Sequence, residues 1–284
     1  MTEPPNFRVM IRFATFLACV LAVHYSLAED PLGKTEYQAG VELLKAGDEV
    51  SAFDQFKKAM GSGYPDAFSA MGFFYANGRG GVDQDDAKAL DFFQKGADLG
   101  SQAAQVNLAR FYMEGRGVGA NREKGLALME SAASTGSEDA HASLAEIYFL
   151  GLYDPESKPN FEKALPHVEA SANGGNPSAT NMLGVMYREG HAVMGDPKKA
   201  EALFREAARK GNFKAQSNLG LLLDPSSKKR MRRIEAVAWL SLAADQGEPL
   251  AVYKMNELRV YLPSKELEEA NQLAEKLRAE IAAK

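Results

Sequence analysis

The chain has 284 residues, 45% of them hydrophobic and 25% charged, a composition that excludes a wholly disordered protein and a multi-span membrane protein. Its 44 alanines stand against 18 valines and isoleucines together, a ratio that selects helix over pleated sheet, so an all-α chain is predicted. A net charge of −5 offers no basic face to a phosphate backbone, and no nucleic-acid partner is expected.

Residues 1–28 read as an export signal. Arg8 and Arg12 precede an apolar run from Phe13 to Tyr25, and Ser26, Leu27 and Ala28 present small residues at the positions a signal peptidase reads. Cleavage is predicted after Ala28. The run is shorter than the about 20 apolar residues of a comfortable membrane span; if retained, it would serve as a membrane anchor. Cys19, after Phe16, Leu17 and Ala18, is a weaker match to a bacterial lipidation box. Cleavage removes two arginines and one glutamate, moving the net charge from −5 to −6, and takes away the only cysteine. The exported protein, periplasmic or secreted, is then held by packing alone, with neither disulfides nor a thiolate for catalysis or metal binding.

From residue 29 onward the chain repeats itself. A hairpin is expected over residues 29–66, on Gly40, Leu43, Gly47, Ala52, Phe56 and Ala59. Beyond it, Ala67, Ala104, Ala140, Ala179, Ala215 and Ala251 recur about every 36 residues. Behind each of the first five follow an apolar residue (Met71, Leu108, Leu144, Leu183, Leu219) and a small one (Gly72, Ala109, Ala145, Gly184, Gly220). Tyr75, Tyr112, Tyr148, Tyr187 and Leu223 complete the series. These fall at i, i+4, i+5 and i+8, one face of a helix, here helix A, whose small residue lets a neighbour approach closely. After a glycine turn comes helix B, marked by Ala89, Gly125, Ala164, Ala200 and Ala236, with Ala97, Ala133, Ala172, Ala208 and Ala244 eight residues on. Asp85, Asn121, Asn160 and Asp196 stand where an N-cap is needed, and Gly100, Gly136, Gly175, Gly211 and Gly247 where a left-handed C-terminal turn is.

The segment Ala215–Gly220 and the turns Glu114–Val118 and Gly78–Val82 resemble Sel1-like repeats, relatives of the tetratricopeptide repeat. Five such units span 67–250, the hairpin over 29–66 resembles a plainer tetratricopeptide-like unit, and residues 251–284 read as capping helices with Ser264 as an N-cap. The resemblance implies a right-handed α-solenoid whose helices A line a concave surface, and a non-enzymatic role binding proteins or peptides. No cofactor or metal is expected, and the chain is expected to be a monomer. Some cysteine-rich relatives are linked to penicillin binding or weak lactam hydrolysis, through disulfide-bridged units that this chain cannot make. A weak periplasmic hydrolase, a penicillin- or peptidoglycan-fragment-binding protein, or a structural subunit of an envelope complex are the alternatives.

Two repeats depart from the pattern. The third carries three extra residues in Leu152–Pro159, where a loop should bulge, and Pro166 early in its helix B. The fifth replaces turn and cap with Asp224–Arg233, where Ser226 or Ser227 is expected to cap a helix with strongly basic first turns. Lys228, Lys229, Arg230, Arg232 and Arg233 there form a basic patch suited to an acidic partner or anionic lipid, or else a solvated charge run. Membrane contact is expected only through this patch or the signal segment.

Among the histidines, His141 is expected on an exposed position of helix A, His167 at the packing position of Phe92, Leu128, Leu203 and Trp239, and His191 in a turn. No two stand at i and i+4, so no metal spacing is present. The Tyr column, Met113, Met129 and Met186 are assigned to the core. Partner binding is assigned to positions on the helix A face that vary while their neighbours hold: Phe73, Asn107, Arg110, Ser143, Glu146, Met182, Val185, Asn218 and Leu221. Asn amides there suit an extended peptide backbone and Arg110 a carboxylate.

Overall fold

A computed structural model of the chain describes residues 31–154 and 156–283; the export segment, with its cleavage site and Cys19, lies outside them. All regular structure among the described residues is helical. Two helices precede the repeats, α1 (Lys34–Lys45) and α2 (Glu49–Gly61). Five A/B pairs follow: α3 (Pro65–Asn77) and α4 (Asp86–Asp98), α5 (Gln102–Glu114) and α6 (Arg122–Ser134), α7 (Glu138–Leu150) and α8 (Phe161–Asn173), α9 (Pro177–Glu189) and α10 (Pro197–Arg209), α11 (Phe213–Leu222) and α12 (Arg230–Asp245). The chain ends with α13 (Pro249–Tyr261) and α14 (Ser264–Ala282). No described helix is long and apolar enough to cross a membrane.

The chain divides into two compact units, one ending at Gly125 and one beginning at Leu126. Consecutive helices pack together from α1 to α5 in the first unit and from α7 to α13 in the second, and helices A of successive repeats touch, α3 with α5 in the first unit and α7 with α9 and α9 with α11 in the second. This is the arrangement expected of repeats that cannot bury an apolar face alone.

Helix ends follow the local chemistry. Asp85, Asn121, Asn160 and Asp196 each accept a hydrogen bond from a first-turn amide, at 2.9–3.1 Å. Gly100, Gly136, Gly175, Gly211 and Gly247 close the other ends with φ between 80° and 89°, a region that side chains disfavour. α5, α7, α9, α11 and α13 carry caps of their own, at Ser101, Ser137, Asn176, Asn212 and Glu248, whereas α3 follows Tyr64 without a side-chain cap. Two expected caps are absent. Ser264 is the first residue of α14, and the cap position of α12 is Lys229, whose amide instead donates to Ser227 Oγ at 3.4 Å. Pro166 is tolerated inside α8.

Contact between helices A and B is set by the small-residue column. A Cβ on Gly72 would lie 2.5 Å from the Phe93 ring, on Gly184 2.6 Å from Phe204, and on Gly220 2.6 Å from Leu240; Gly40 stands in the same relation to Phe56. In the second unit α12 is buried on nearly every side, from Ile234 through Trp239 to Ala243, because α11 and α13 flank it and α14 lies along it. α14 also reaches α10, and its Ala274 and Leu277 enter the cluster of Phe204, Leu219 and Trp239.

Replacing Gly184 by Ala is expected to lower the stability of the second unit by about 1–3 kcal/mol through overpacking, read as a lower urea midpoint. Combining it with Phe204→Leu should cost less than the two changes separately, because the smaller side chain makes room. Strict additivity would mean that this contact does not set the helix separation.

Candidate partner-binding face

The helix A face is built on hydrogen bonds that run from one repeat to the next. In the first unit Asn107 Nδ2 donates to Ser69 Oγ at 3.2 Å, and Ser101 Oγ donates to Asp66 Oδ1 at 2.6 Å. In the second, Asn218 Nδ2 donates to Asn181 Oδ1 at 2.8 Å and accepts on Oδ1 from Arg188 Nη1 at 3.0 Å, and Asn212 Nδ2 donates to Ser178 Oγ at 3.2 Å. The two asparagines assigned to peptide recognition therefore already join neighbouring helices, and their orientation is fixed.

The other assigned residues separate by exposure. Phe73, 38% exposed with the Arg79 guanidinium 5.4 Å from its ring centroid, and the exposed Arg110 and Glu146 face outward. Ser143 is half-buried. Met182, Val185 and Leu221 are also half-buried and pack against the cores beneath them. Val185 and Leu221 thus serve the packing as well as the face.

Met113, Met129 and Met186 are buried. The Tyr column differs from expectation: Tyr75, Tyr112, Tyr148 and Tyr187 are half-buried. A lysine from helix B lies over each ring, Lys88, Lys124, Lys163 and Lys199, with Nζ 3.9–5.4 Å from the centroids. These lysines recur three residues after each helix B cap, a periodic signal that attention to apolar columns passes over. An amphipathic ring of this kind packs through its face while its hydroxyl stays outside, as where Lys124 Nζ donates to Tyr112 Oη at 2.7 Å.

The basic run is divided by the fold. Arg233 donates to both carboxylate oxygens of Glu266 on α14, each at 2.7 Å, and Arg230 donates to Glu269 at 2.6 Å. Arg232 donates to Glu201 at 3.0 Å and to the Leu223 carbonyl at 3.2 Å. The pairing holds the Glu266 carboxyl below the usual carboxylate range, with Arg233 as the main cause. Lys228 and Lys229 are exposed.

His141 also departs from expectation. It is half-buried, and its Nδ1 lies 3.0 Å from Nδ1 of His167, one ring donating and the other accepting. The hairpin of α7 and α8 brings together two residues 26 apart in sequence, a proximity that no spacing on a single helix reports. His167 lies over Tyr148, with centroids 6.1 Å apart, as Phe92 lies over Tyr75 two repeats earlier. Tyr148 Oη donates to Glu130 at 2.7 Å, and Glu130 stands 3.7 Å from His167 Nε2. His191 stacks on Phe161 at 4.0 Å. Among the described residues no three His, Cys, Asp or Glu side chains gather in a metal-holding group.

A model of the Sel1 repeat matches residues 66–101, 102–137, 138–176, 177–212 and 214–248. The chain belongs to the Sel1 repeat family. A solved Sel1 repeat protein from Oxalobacter formigenes superposes with a TM-score of 0.67 at 24% identity, over 83% of this chain and 96% of that one. A protective antigen of uropathogenic Escherichia coli with the same repeat fold gives 0.67 at 23%, over 88% of this chain and 56% of the antigen. An uncharacterised Neisseria meningitidis protein is 29% identical over 164 residues, 58% of this chain and 33% of its own length. The mouse protein named DAP3-binding cell death enhancer 1 is 30% identical over 188 residues, 65% of this chain and 36% of its own length. The chain thus spans about a third of these two curated relatives. Helices α1, α2, α13 and α14 lie outside the matched Sel1 repeats.

Burial holds the His167 pKa below its ordinary 6.5; Glu130 opposes the shift and His141 adds to it. A histidine with a lowered folded pKa binds protons more readily when unfolded. Its contribution to stability is therefore present above 6.5 and is lost as pH falls through that value toward the folded pKa. Urea midpoints of the second unit should decline between about pH 7 and pH 5, and His167→Phe, which copies the residue at position 92, should flatten that decline. An unaltered slope would place the titrating group elsewhere.

Proposed function

We propose that this Sel1 repeat protein is a non-enzymatic adaptor that binds a protein or peptide partner on its helix A faces, without a cofactor. What supports the reading is the contrast within those faces. Helix positions and caps repeat from unit to unit, and side-chain amides lock neighbouring repeats together. On that frame Phe73, Arg110 and Glu146 stand exposed at corresponding positions with unlike chemistry. Within each compact unit, varied exposed groups on well-packed helices suit recognition, because little ordering entropy is lost on binding. We further propose that residues 1–28 direct export and are removed, so that the partner is an envelope or extracellular protein.

In-cell crosslinking of the full chain, followed by mass spectrometry, tests the adaptor role. A partner captured by the wild type should be lost or strongly depleted with Phe73→Ala plus Arg110→Ala, or with Glu146→Ala plus Met182→Ala. Equal capture by both double variants would remove the helix A faces as the binding surface, and an intact Met1 on exported material would remove the cleavage assignment.

A further inference from the structure

The fold leaves a second surface with a defined chemistry, made by the ends and outer sides of α10, α12 and α14. A groove of about 620 Å³ there is lined by Arg209 of α10, Lys229 ahead of α12, Met231, Arg232, Glu235 and Trp239 of α12, and the stretch from Leu273 to Glu280 of α14. Its floor is apolar: Trp239 and Leu277 are buried and Leu273 half-buried. Met231 stands at the groove with 70% of its surface exposed.

The charges around this floor are uneven. Arg232 and Glu235 are neutralised within the fold, by Glu201 and Arg205. Arg209, Lys229 and Lys276 make no ion pair among the described residues, and Glu280 is the one remaining acid of the lining. Uncompensated cations gathered over an apolar floor repel one another, on a chain whose net charge is −5. The ion pairs to Glu266 and Glu269 draw Arg230 and Arg233 out of this set, so the groove is a selected part of the basic run.

We propose that this groove docks an acidic peptide segment of a partner protein, one apolar side chain seating over Trp239 and Leu277 while flanking carboxylates meet Arg209, Lys229 and Lys276. A recess suits a side chain, and Glu280 in its wall, the acid left unneutralised, opposes a continuous anionic surface such as a membrane; spaced peptide carboxylates pass beside it. The site is separate from the helix A faces, so the adaptor reading and this one stand or fall independently.

Trp239 is the only tryptophan in the chain and lies at the floor of the groove, so it reports occupancy directly. The probe is a short acetylated and amidated peptide with Glu residues on both sides of a single Leu, titrated into the full chain. The expected result is a saturable change in Trp239 emission that weakens with added salt and is absent for the version carrying Gln in place of Glu. Arg209→Glu with Lys276→Glu, both exposed positions, should weaken binding at least about tenfold with unchanged circular dichroism, and Arg230→Gln, outside the lining, should leave it intact. Anisotropy of a labelled peptide gives a second readout with the same variants. Absence of saturation in both readouts, equal binding of the Gln peptide, or indifference to the double reversal would overturn the proposal. Binding of phosphatidylglycerol vesicles through Arg209 and Lys276 without peptide binding would replace it by a membrane-docking surface.

Discussion

The close approach of helix A to helix B is the constraint on which the rest of the structure depends. Where Gly72, Gly184 and Gly220 face Phe93, Phe204 and Leu240, no Cβ fits, and the larger side chain of helix B occupies the space that the missing one leaves. The exchange places one residue of high volume against one of none, so each hairpin closes at a fixed separation and buries an aromatic or leucine side chain almost completely. The exchange recurs in register in the first, fourth and fifth repeats, while Ala109 and Ala145 keep the column small in the second and third. Helices of equal length follow, from α2 to α10 each of 13 residues, since a repeat can stack on the last only if its ends fall at the same level.

That register explains what the amino-acid sequence discloses and what it hides. Alanine, leucine, glycine and cap columns are legible because each reflects a need met inside one repeat or between identical positions of two. The Asp and Asn N-caps and the left-handed glycines are of this kind, and the structure has them where the spacing puts them. Contacts peculiar to one place are not legible. His141 meets His167 only because the α7–α8 hairpin folds back, and no other unit has a histidine at either position. The run from Lys228 to Arg233 reads as one basic segment, yet its division is decided by Glu266 and Glu269, more than thirty residues away on a helix outside the repeat pattern. Ser264 looks like a cap because it precedes an amphipathic stretch, but Pro263 already fixes the turn and the helix takes Ser264 as its first residue. The polar positions of helix A were legible as variable; that Asn107 and Asn218 turn toward the neighbouring repeat depends on partners such as Ser69 and Asn181, which sit in other units.

Part of the polar chemistry in this fold joins one repeat to the next. Arg116 donates to Asp86, Arg205 to Glu235 and Arg79 to Glu49, each pair 30 residues apart in sequence, and Arg116 also donates to the Ala76 carbonyl. A guanidinium suits this duty because its planar fork reaches two acceptors at once, and a partly buried pair keeps more of its strength than a surface lysine pair. The apolar columns hold each hairpin shut, and the arginines fix how the next hairpin is seated.

The end of the chain shows what happens when the repetition stops. A stack of identical units would leave the last helix B with an apolar side uncovered, and α12 is apolar nearly all round. α13 begins a further repeat, on Ala251, but α14 does not complete it as a helix B would; it lies along α12 and reaches α10 instead. Ala274 and Leu277 bury the exposed side while Glu266 and Glu269 take up two of the arginines at the start of α12. α14 covers α12 without forming a hairpin with α13. It leaves a groove over Trp239, bordered by cations that the closing helix does not reach. The groove over Trp239 is thus made where α14 departs from the repeat pattern, by the same helix that buries the apolar side of α12.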